Sequence, residues 1–161
     1  MSQPQVQKTQ AGKVMFYHLA QHRPVDLIRR LSERALASGH RVMLRAPDPR
    51  KLDQIDDLLW TTDPTGFLPH GRAGADQPLL LGEGAVENGA KVLMLLAGAV
   101  VDAEEARSME RLCYLFEDGD EVQKQAARIE WRAVVAAGLT AEYWSDAEGT
   151  WVKKAQSGAE A

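Results

Sequence analysis

Three cationic side chains and one tryptophan recur at helical spacing within residues 120–138. Lys124, Arg128 and Arg132 follow one another at i, i+4 and i+8, so they lie along one side of a predicted helix. Trp131 projects next to Lys124 on that side. An aromatic ring bordered by cations suits a ligand that is apolar at one end and anionic at the other, such as a protein tail ending in a hydrophobic residue and a carboxylate. The alternative is a solvated face on which Trp131 lies over the stems of its neighbours or under a loop.

The same helix also predicts which of its faces is buried. At about 100° per residue, five residues fall within one apolar stripe. They are Val122, Ala126, Ile129, Ala133 and Ala136. We therefore expect this stripe to face the core, with the cations and Trp131 on the far side.

A second pair of large aromatic residues flanks a predicted turn. Trp60 lies at the end of a predicted helix, and Phe67 follows after a short loop. Together with residues 68–70 they can form an apolar edge for a protein partner, because tryptophan and phenylalanine carry much of the energy of interfaces. The alternative is that both rings close the core beneath the turn at residues 63–66.

The glycines do not form a phosphate-binding motif. Gly82, Gly84 and Gly89 follow a predicted strand, but no helix N-terminus comes after them to receive a pyrophosphate. Gly12 and Lys13 precede the first strand and lack the upstream glycine and the following hydroxyl of a phosphate-binding loop. We therefore expect no nucleotide cofactor.

Catalytic and metal-binding motifs are equally weak. His18 and His22 have i, i+4 spacing but no acidic residue between them, and the other histidines are scattered. Asp53, Asp56 and Asp57 share a helix with two cations, which is typical of a solvated face. We expect neither a catalytic site nor a metal site.

Composition excludes several classes of protein. The 161 residues are 45% hydrophobic, and a chain of this length buries about two thirds of its unfolded surface in one core. The formal net charge of −4 argues against a protein that coats nucleic acid through charge alone. Any role on DNA is then expected to be local or mostly indirect.

The cysteine and the apolar runs indicate the cellular compartment. Cys113 is the single cysteine and lies in an apolar run, so it predicts a buried core thiol and no disulfide. The apolar stretches at residues 92–97 and 99–101 are far shorter than the ~20 residues of a membrane span. Residues 1–10 are polar and lack the apolar core of a signal peptide. We expect a cytoplasmic protein without a membrane partner.

The elements that must position these residues alternate between strand and helix. The predicted strands are residues 14–19, 40–45, 67–69, 78–81, 91–97, 111–116, 139–144 and 150–153, and the predicted helices are residues 24–38, 49–60 and 120–138. Such alternation predicts right-handed crossovers and a largely parallel sheet covered on both faces.

The predicted fold class is α/β: a single three-layer α/β/α domain with a mostly parallel, doubly wound sheet and an antiparallel C-terminal hairpin. Residues 13–154 form the domain. Residues 1–12 are expected to be a disordered N-terminal segment, and residues 155–161 a frayed tail.

In its order of motifs, the chain resembles the chi subunit family of bacterial DNA polymerase III, a component of the clamp-loader assembly. No single motif is diagnostic, but their collinear order over residues 13–154 is specific. The matching stretches are VMFYHL at 14–19, LLW at 58–60, FLPHG at 67–71, QPLL at 77–80, LCYLF at 112–116, and Arg128, Trp131 and Arg132 followed by Gly138, Tyr143 and Trp144.

The resemblance implies an adaptor without catalysis of its own, with a fold like a helicase nucleotide-binding core that lacks the phosphate loop. Family members connect the polymerase holoenzyme to single-stranded-DNA-binding protein by binding its acidic C-terminal tail, which ends in phenylalanine. The positions that match the family's tail-binding site are Lys124, Arg128, Trp131 and Arg132.

The resemblance also implies a second protein contact. Family members bind the psi subunit, and can contact a helicase, through a surface that Trp60 and Phe67 match. Two other functions remain open at this point: a small nucleotide-binding enzyme of Rossmann-like fold, and a protein that binds single-stranded DNA directly.

Overall fold

The computed structural model describes residues 12–61 and 68–157. Within these ranges the strands are β1 (Lys13–Leu19), β2 (Val42–Arg45), β3 (His70–Gly71), β4 (Leu79–Gly82), β5 (Val92–Leu96), β6 (Arg111–Glu117), β7 (Thr140–Ser145) and β8 (Val152–Ser157). The helices are α1 (Pro24–Ala37), α2 (Pro49–Thr61), α3 (Ala103–Ser108) and α4 (Glu121–Ala136).

The strands form one sheet in the order β3-β4-β2-β5-β6-β1-β7-β8. All neighbouring strands are parallel except β7 and β8, which pair antiparallel. Apolar residues of α1 and α2 pack on one face of the sheet, and those of α3 and α4 pack on the other. The predicted α/β class, the three layers and the C-terminal hairpin are confirmed.

Strand β1 lies in the interior of the sheet, between β6 and β7. Its alternate residues face opposite layers: Met15 and Tyr17 pack with α1 and α2, whereas Val14 and Phe16 pack with α3 and α4. Burial on both faces explains why β1 is an unbroken apolar run, which is typical of parallel sheets. Cys113 is buried in the neighbouring strand β6, as predicted.

Three short or polar elements differ from the prediction. Of the strand predicted at residues 67–69, Phe67 lies outside the described residues, and Leu68 and Pro69 are not in a strand; β3 begins at His70. Helix α3 was not predicted because six residues are too few to establish a helical period. Strand β8 runs to Ser157, past the predicted domain boundary at residue 154.

Helix α4 packs on the sheet through the face opposite to the predicted one. Ala127 and Val134 are buried and Trp131 is half-buried, whereas Val122 and Ile129 are 80% and 54% exposed. The prediction that the stripe of Val122, Ala126, Ile129, Ala133 and Ala136 faces the core is therefore wrong. So is the prediction that Trp131 lies on the far side from the core.

The two faces of α4 have apolar residues at similar helical spacing but differ in the size of those side chains. Three of the five residues in the predicted stripe are alanines, whereas the packed face carries Trp131, Val134 and Val135. Because stabilisation grows with the apolar area removed from water, packing the larger side chains against the sheet is favoured. The smaller stripe is left in solvent.

Candidate peptide-binding site

A cavity of about 400 Å³ lies between α4 and the sheet. We call it the α4 pocket. Its aromatic lining consists of Phe16, Phe116, Trp131 and Tyr143, and its cationic lining of Lys124, Arg128 and Arg132. Strands β1, β6 and β7 supply the floor and α4 supplies the wall and the charged rim.

The floor is aromatic because parallel register brings rings from three strands together. Phe16 lies beside Tyr143 of β7, and the rings of Phe16 and Trp131 are 5.3 Å apart between centroids. The ring of Phe116 stacks on His18 at 4.8 Å and lies 6.5 Å from Tyr143. Such an array can accept one further aromatic ring in an offset or edge-to-face arrangement.

The three cations at the rim differ in how far they are already neutralised. The Lys124 Nζ lies 3.3 Å from a Glu121 carboxylate oxygen and 3.6 Å from one of Asp118. Arg128 donates to the side-chain oxygen of Gln125 at 2.8 Å, and Arg132 makes no ion pair within the described part of the chain. The two arginines therefore retain donors for an incoming anion, and a guanidinium can bind a carboxylate through two parallel hydrogen bonds.

A hydrogen-bonded row crosses the floor of the pocket. The His18 Nε2 lies 2.9 Å from Asp118 Oδ1, and the His18 Nδ1 lies 2.6 Å from the Tyr143 hydroxyl. The hydrogen bond from His18 lowers the pKa of Asp118, with a further contribution from Lys124. An ionised carboxylate can only accept, so the Nε2 carries the proton and the Nδ1 is directed at Tyr143.

A sequence model of the family described as "DNA polymerase III chi subunit, HolC" matches residues 12–142. The chain belongs to this family. Members of the chi subunit family are accessory subunits of the polymerase, and this chain is therefore an accessory protein of DNA replication. None of the curated proteins compared with it gives a significant match.

In this member of the chi family, the four residues predicted for tail binding line one cavity. Lys124, Arg128, Trp131 and Arg132 all line the α4 pocket. Sequence reasoning missed Phe16, His18, Phe116 and Tyr143, which form its floor. Their period-2 spacing within strands gave a signal for a shared face, but the order of strands in a parallel sheet cannot be read from spacing.

The second predicted surface lies at the other edge of the sheet. Trp60, near the end of α2, is 51% exposed, and its ring centroid is 4.3 Å from that of His70 in the edge strand β3. Phe67 lies outside the described residues. Because β3 is one edge strand and β7 lies near the other edge, Trp60 is far from the α4 pocket.

The turn between β1 and α1 holds an internal carboxylate. In doubly wound folds this first turn is where a phosphate-binding loop presents backbone N–H groups. Here the N–H groups of Ala20, Gln21 and His22 donate to the carboxylate of Asp146 at 2.6, 3.1 and 2.8 Å. The side chain of Asp146 thus takes up the donors that a phosphate would use.

Among residues 12–61 and 68–157, no three His, Cys, Asp or Glu side chains converge as a metal ion would require. No helix in the same ranges has the length and apolar character needed to cross a bilayer.

Proposed function

We propose that this chain is a non-catalytic accessory subunit that links the clamp loader of DNA polymerase III to single-stranded-DNA-binding protein. The α4 pocket binds the acidic C-terminal tail of that protein, whose last residue is phenylalanine. One observation carries the proposal: an aromatic floor and two arginines with available donors line the same cavity.

The terminal phenylalanine fits the aromatic floor, and its carboxylate fits the arginines. Burying most of the ring contributes about 1.5–3 kcal/mol. A charged hydrogen bond to Arg128 or Arg132 adds about 1.5–3 kcal/mol. After the cost of association, these contributions correspond to binding in roughly the micromolar range, which several tails on one oligomeric partner strengthen.

The rim residues have unequal roles in this proposal. Arg128 and Arg132 hold the terminal carboxylate, because neither is paired with an acid within the described residues. Lys124 already forms ion pairs with Asp118 and Glu121, so its charge is partly neutralised. In this proposal it contacts the acidic residues that precede the phenylalanine in the tail.

The experiment is titration of the protein with a synthetic acidic peptide that ends in Pro-Phe. We expect Arg128→Ala and Arg132→Ala each to reduce affinity about tenfold, which corresponds to about 1.4 kcal/mol. Lys124→Ala should have a smaller effect. Arg50→Ala is the matched control, because Arg50 is an exposed arginine of α2 whose side chain is 91% exposed.

Amidation of the peptide tests the carboxylate directly. The amidated peptide should bind the unmodified protein at least tenfold more weakly than the free-acid peptide does. The two peptides should bind about equally to the double variant Arg128→Ala/Arg132→Ala, which lacks both carboxylate-binding arginines. Equal affinity of the free and amidated peptides for the unmodified protein would contradict the role given to the arginines.

The surface around Trp60 and Phe67 is proposed to bind the psi subunit or a helicase. The large exposed ring of Trp60 at the sheet edge opposite the α4 pocket supports this assignment. Trp60→Ala and Phe67→Ala should weaken partner capture and leave peptide affinity unchanged, since effects at distant sites are nearly independent. Capture of psi or helicase at unchanged strength by both variants would contradict it.

A further inference from the structure

A second groove lies on the face of the sheet opposite the α4 pocket. Two adjoining cavities of about 320 and 330 Å³ share Leu31, Arg34 and Arg111, so together they follow α1 along its length. We call this the α1 groove. Residues of α1 line the groove. The first residues of β1 and β6 add to its lining, and so do Trp144 and Trp151 of the C-terminal hairpin.

The α1 groove concentrates positive charge on a chain whose net charge is −4. Arg30 and Arg34 are exposed, lie one turn apart on α1, and make no ion pair with any residue that the structure describes. Lys13 and Arg111 add two cations from the starts of β1 and β6. The positive charges therefore come from three separate elements and are distributed along the groove.

The acids of the groove cancel only part of this charge, because Glu142 pairs with Lys13 and leaves Arg30 and Arg34 without an ion-pair partner among the described residues. Glu142 is buried, lies 3.1 Å from Lys13 and 3.5 Å from Lys153, and accepts from the Trp144 Nε1 at 3.0 Å. Burial acts to raise the pKa of Glu142, but the hydrogen bonds from Trp144 and Lys13 hold it below its usual value. The second acid, Glu110, lies at the far end of the groove.

Flat aromatic faces border the same charges. The ring of Tyr17 stacks with Trp144 at 6.5 Å and meets Trp151 edge-on at 5.2 Å. His22 stacks on Trp151 at 6.0 Å. Both tryptophans are half-buried, so each keeps part of its surface in the groove.

We propose that the α1 groove binds a short stretch of single-stranded nucleic acid. Cations spaced along a groove match a ligand with a repeating negative charge, and the tryptophans offer platforms on which bases stack. An acidic peptide would use the cations but has no flat ring at each unit to place on the tryptophans. The α4 pocket differs in that its charges surround one aromatic floor, so this proposal does not rest on tail binding.

The test measures fluorescence anisotropy of labelled oligothymidine and oligouridine, about 15 nucleotides long, with the full chain at low salt. We expect at least one of the two oligonucleotides to bind, with an affinity that falls as the salt concentration rises. The double variant Arg30→Glu/Arg34→Glu should lose at least tenfold in affinity and show a shallower salt dependence. Trp151→Ala should lose about fivefold, and base stacking should quench tryptophan fluorescence in the unmodified protein.

The matched control is Arg50→Glu/Lys51→Glu, which makes the same change of charge on α2 and should retain binding. Thermal unfolding establishes that each variant is folded. The tail peptide should bind the Arg30→Glu/Arg34→Glu protein normally, so failure of this proposal and of the proposed function are distinguishable.

Three outcomes would overturn the inference. The unmodified protein could fail to bind either oligonucleotide; the control pair could lose as much affinity as the groove pair; or a polyglutamate peptide of equal charge could displace the oligonucleotide at the same concentration as unlabelled oligothymidine. The last result would assign the groove to an acidic peptide.

Discussion

Asp146, the residue that follows β7, fixes the turn between β1 and α1. Its buried carboxylate accepts from three backbone N–H groups and lies 2.5 Å from the His22 Nδ1. Burial acts to raise the pKa of Asp146, but the hydrogen bonds from Ala20 and His22 outweigh it and hold the pKa below the ordinary 3.8. The ionised form is therefore stabilised by folding.

Asp146→Asn should reduce the free energy of unfolding by about 1–3 kcal/mol at neutral pH, because the amide lacks the charge and directs N–H groups at other donors. The contribution of the carboxylate is complete above its unfolded pKa and is lost as pH falls through the lower folded pKa. The gap between the variant and the unmodified protein should therefore shrink at pH 3.

Urea unfolding at pH 7 and pH 3 measures this gap. Asp57→Asn is the control, since Asp57 is an exposed acid of α2, and it should change stability by less than about 0.5 kcal/mol at either pH. A gap for Asp146→Asn that stays constant across pH would show that the charge of Asp146 has no part in stability.

At the scale of elements, two substitutions test which face of α4 packs on the sheet. Trp131→Ala should lower the free energy of unfolding by about 2 kcal/mol, less than for a fully buried tryptophan, because the ring is half-buried against Phe16. Ile129→Ala should change it by less than about 0.5 kcal/mol, since Ile129 is 54% exposed.

Urea midpoints of the two variants, measured under identical conditions, compare the two faces of α4. The opposite order, with Ile129→Ala the more destabilising, would place the predicted stripe in the core after all. Trp131→Ala should lose peptide affinity as well as stability. Its peptide affinity is therefore compared with that of the unmodified protein under conditions in which the urea curves show both proteins to be fully folded.

The sequence sufficed for elements with strong patterns and failed where two patterns compete. Strands such as β1 and β6 are apolar on both faces, and α1 begins at Pro24 and is followed by Gly39 with a φ of +87°, so their positions were predicted closely. Helix α4 has two faces of similar period, and only tertiary packing of Trp131 decides between them.

The candidate site was predicted in part for the same reason. Its cations and Trp131 are local to one helix, where spacing determines which residues are neighbours. The floor joins Phe16, Phe116 and Tyr143 from three strands, and this depends on the β6-β1-β7 order. That order is set by long-range packing, which spacing along the chain does not encode.

At the scale of the whole molecule, Cys113 reports on global unfolding. It is fully buried in β6, and burial raises the pKa of its thiol to about 12. Since the thiolate is the reactive form, an aromatic disulfide reagent at pH 8 meets very little thiolate as long as Cys113 stays buried.

Labelling of Cys113 should therefore follow the population of the open form, and a destabilising variant such as Asp146→Asn should speed it about tenfold for each ~1.4 kcal/mol of stability that it loses. The time course of absorbance after adding the reagent measures this rate, with protein in concentrated urea as the control that reacts at once. Fast labelling of the native protein would mean that β6 opens locally.

The position of β1 between β6 and β7 also has a consequence for biosynthesis. Strand β1 leaves the ribosome well before the two strands with which it pairs, Arg111–Glu117 and Thr140–Ser145. Until those segments are made, an apolar strand has two unpaired edges, which is a state prone to aggregation. Closure of such distant contacts is slow, so we expect a nascent chain arrested before β7 to aggregate more readily than the full chain.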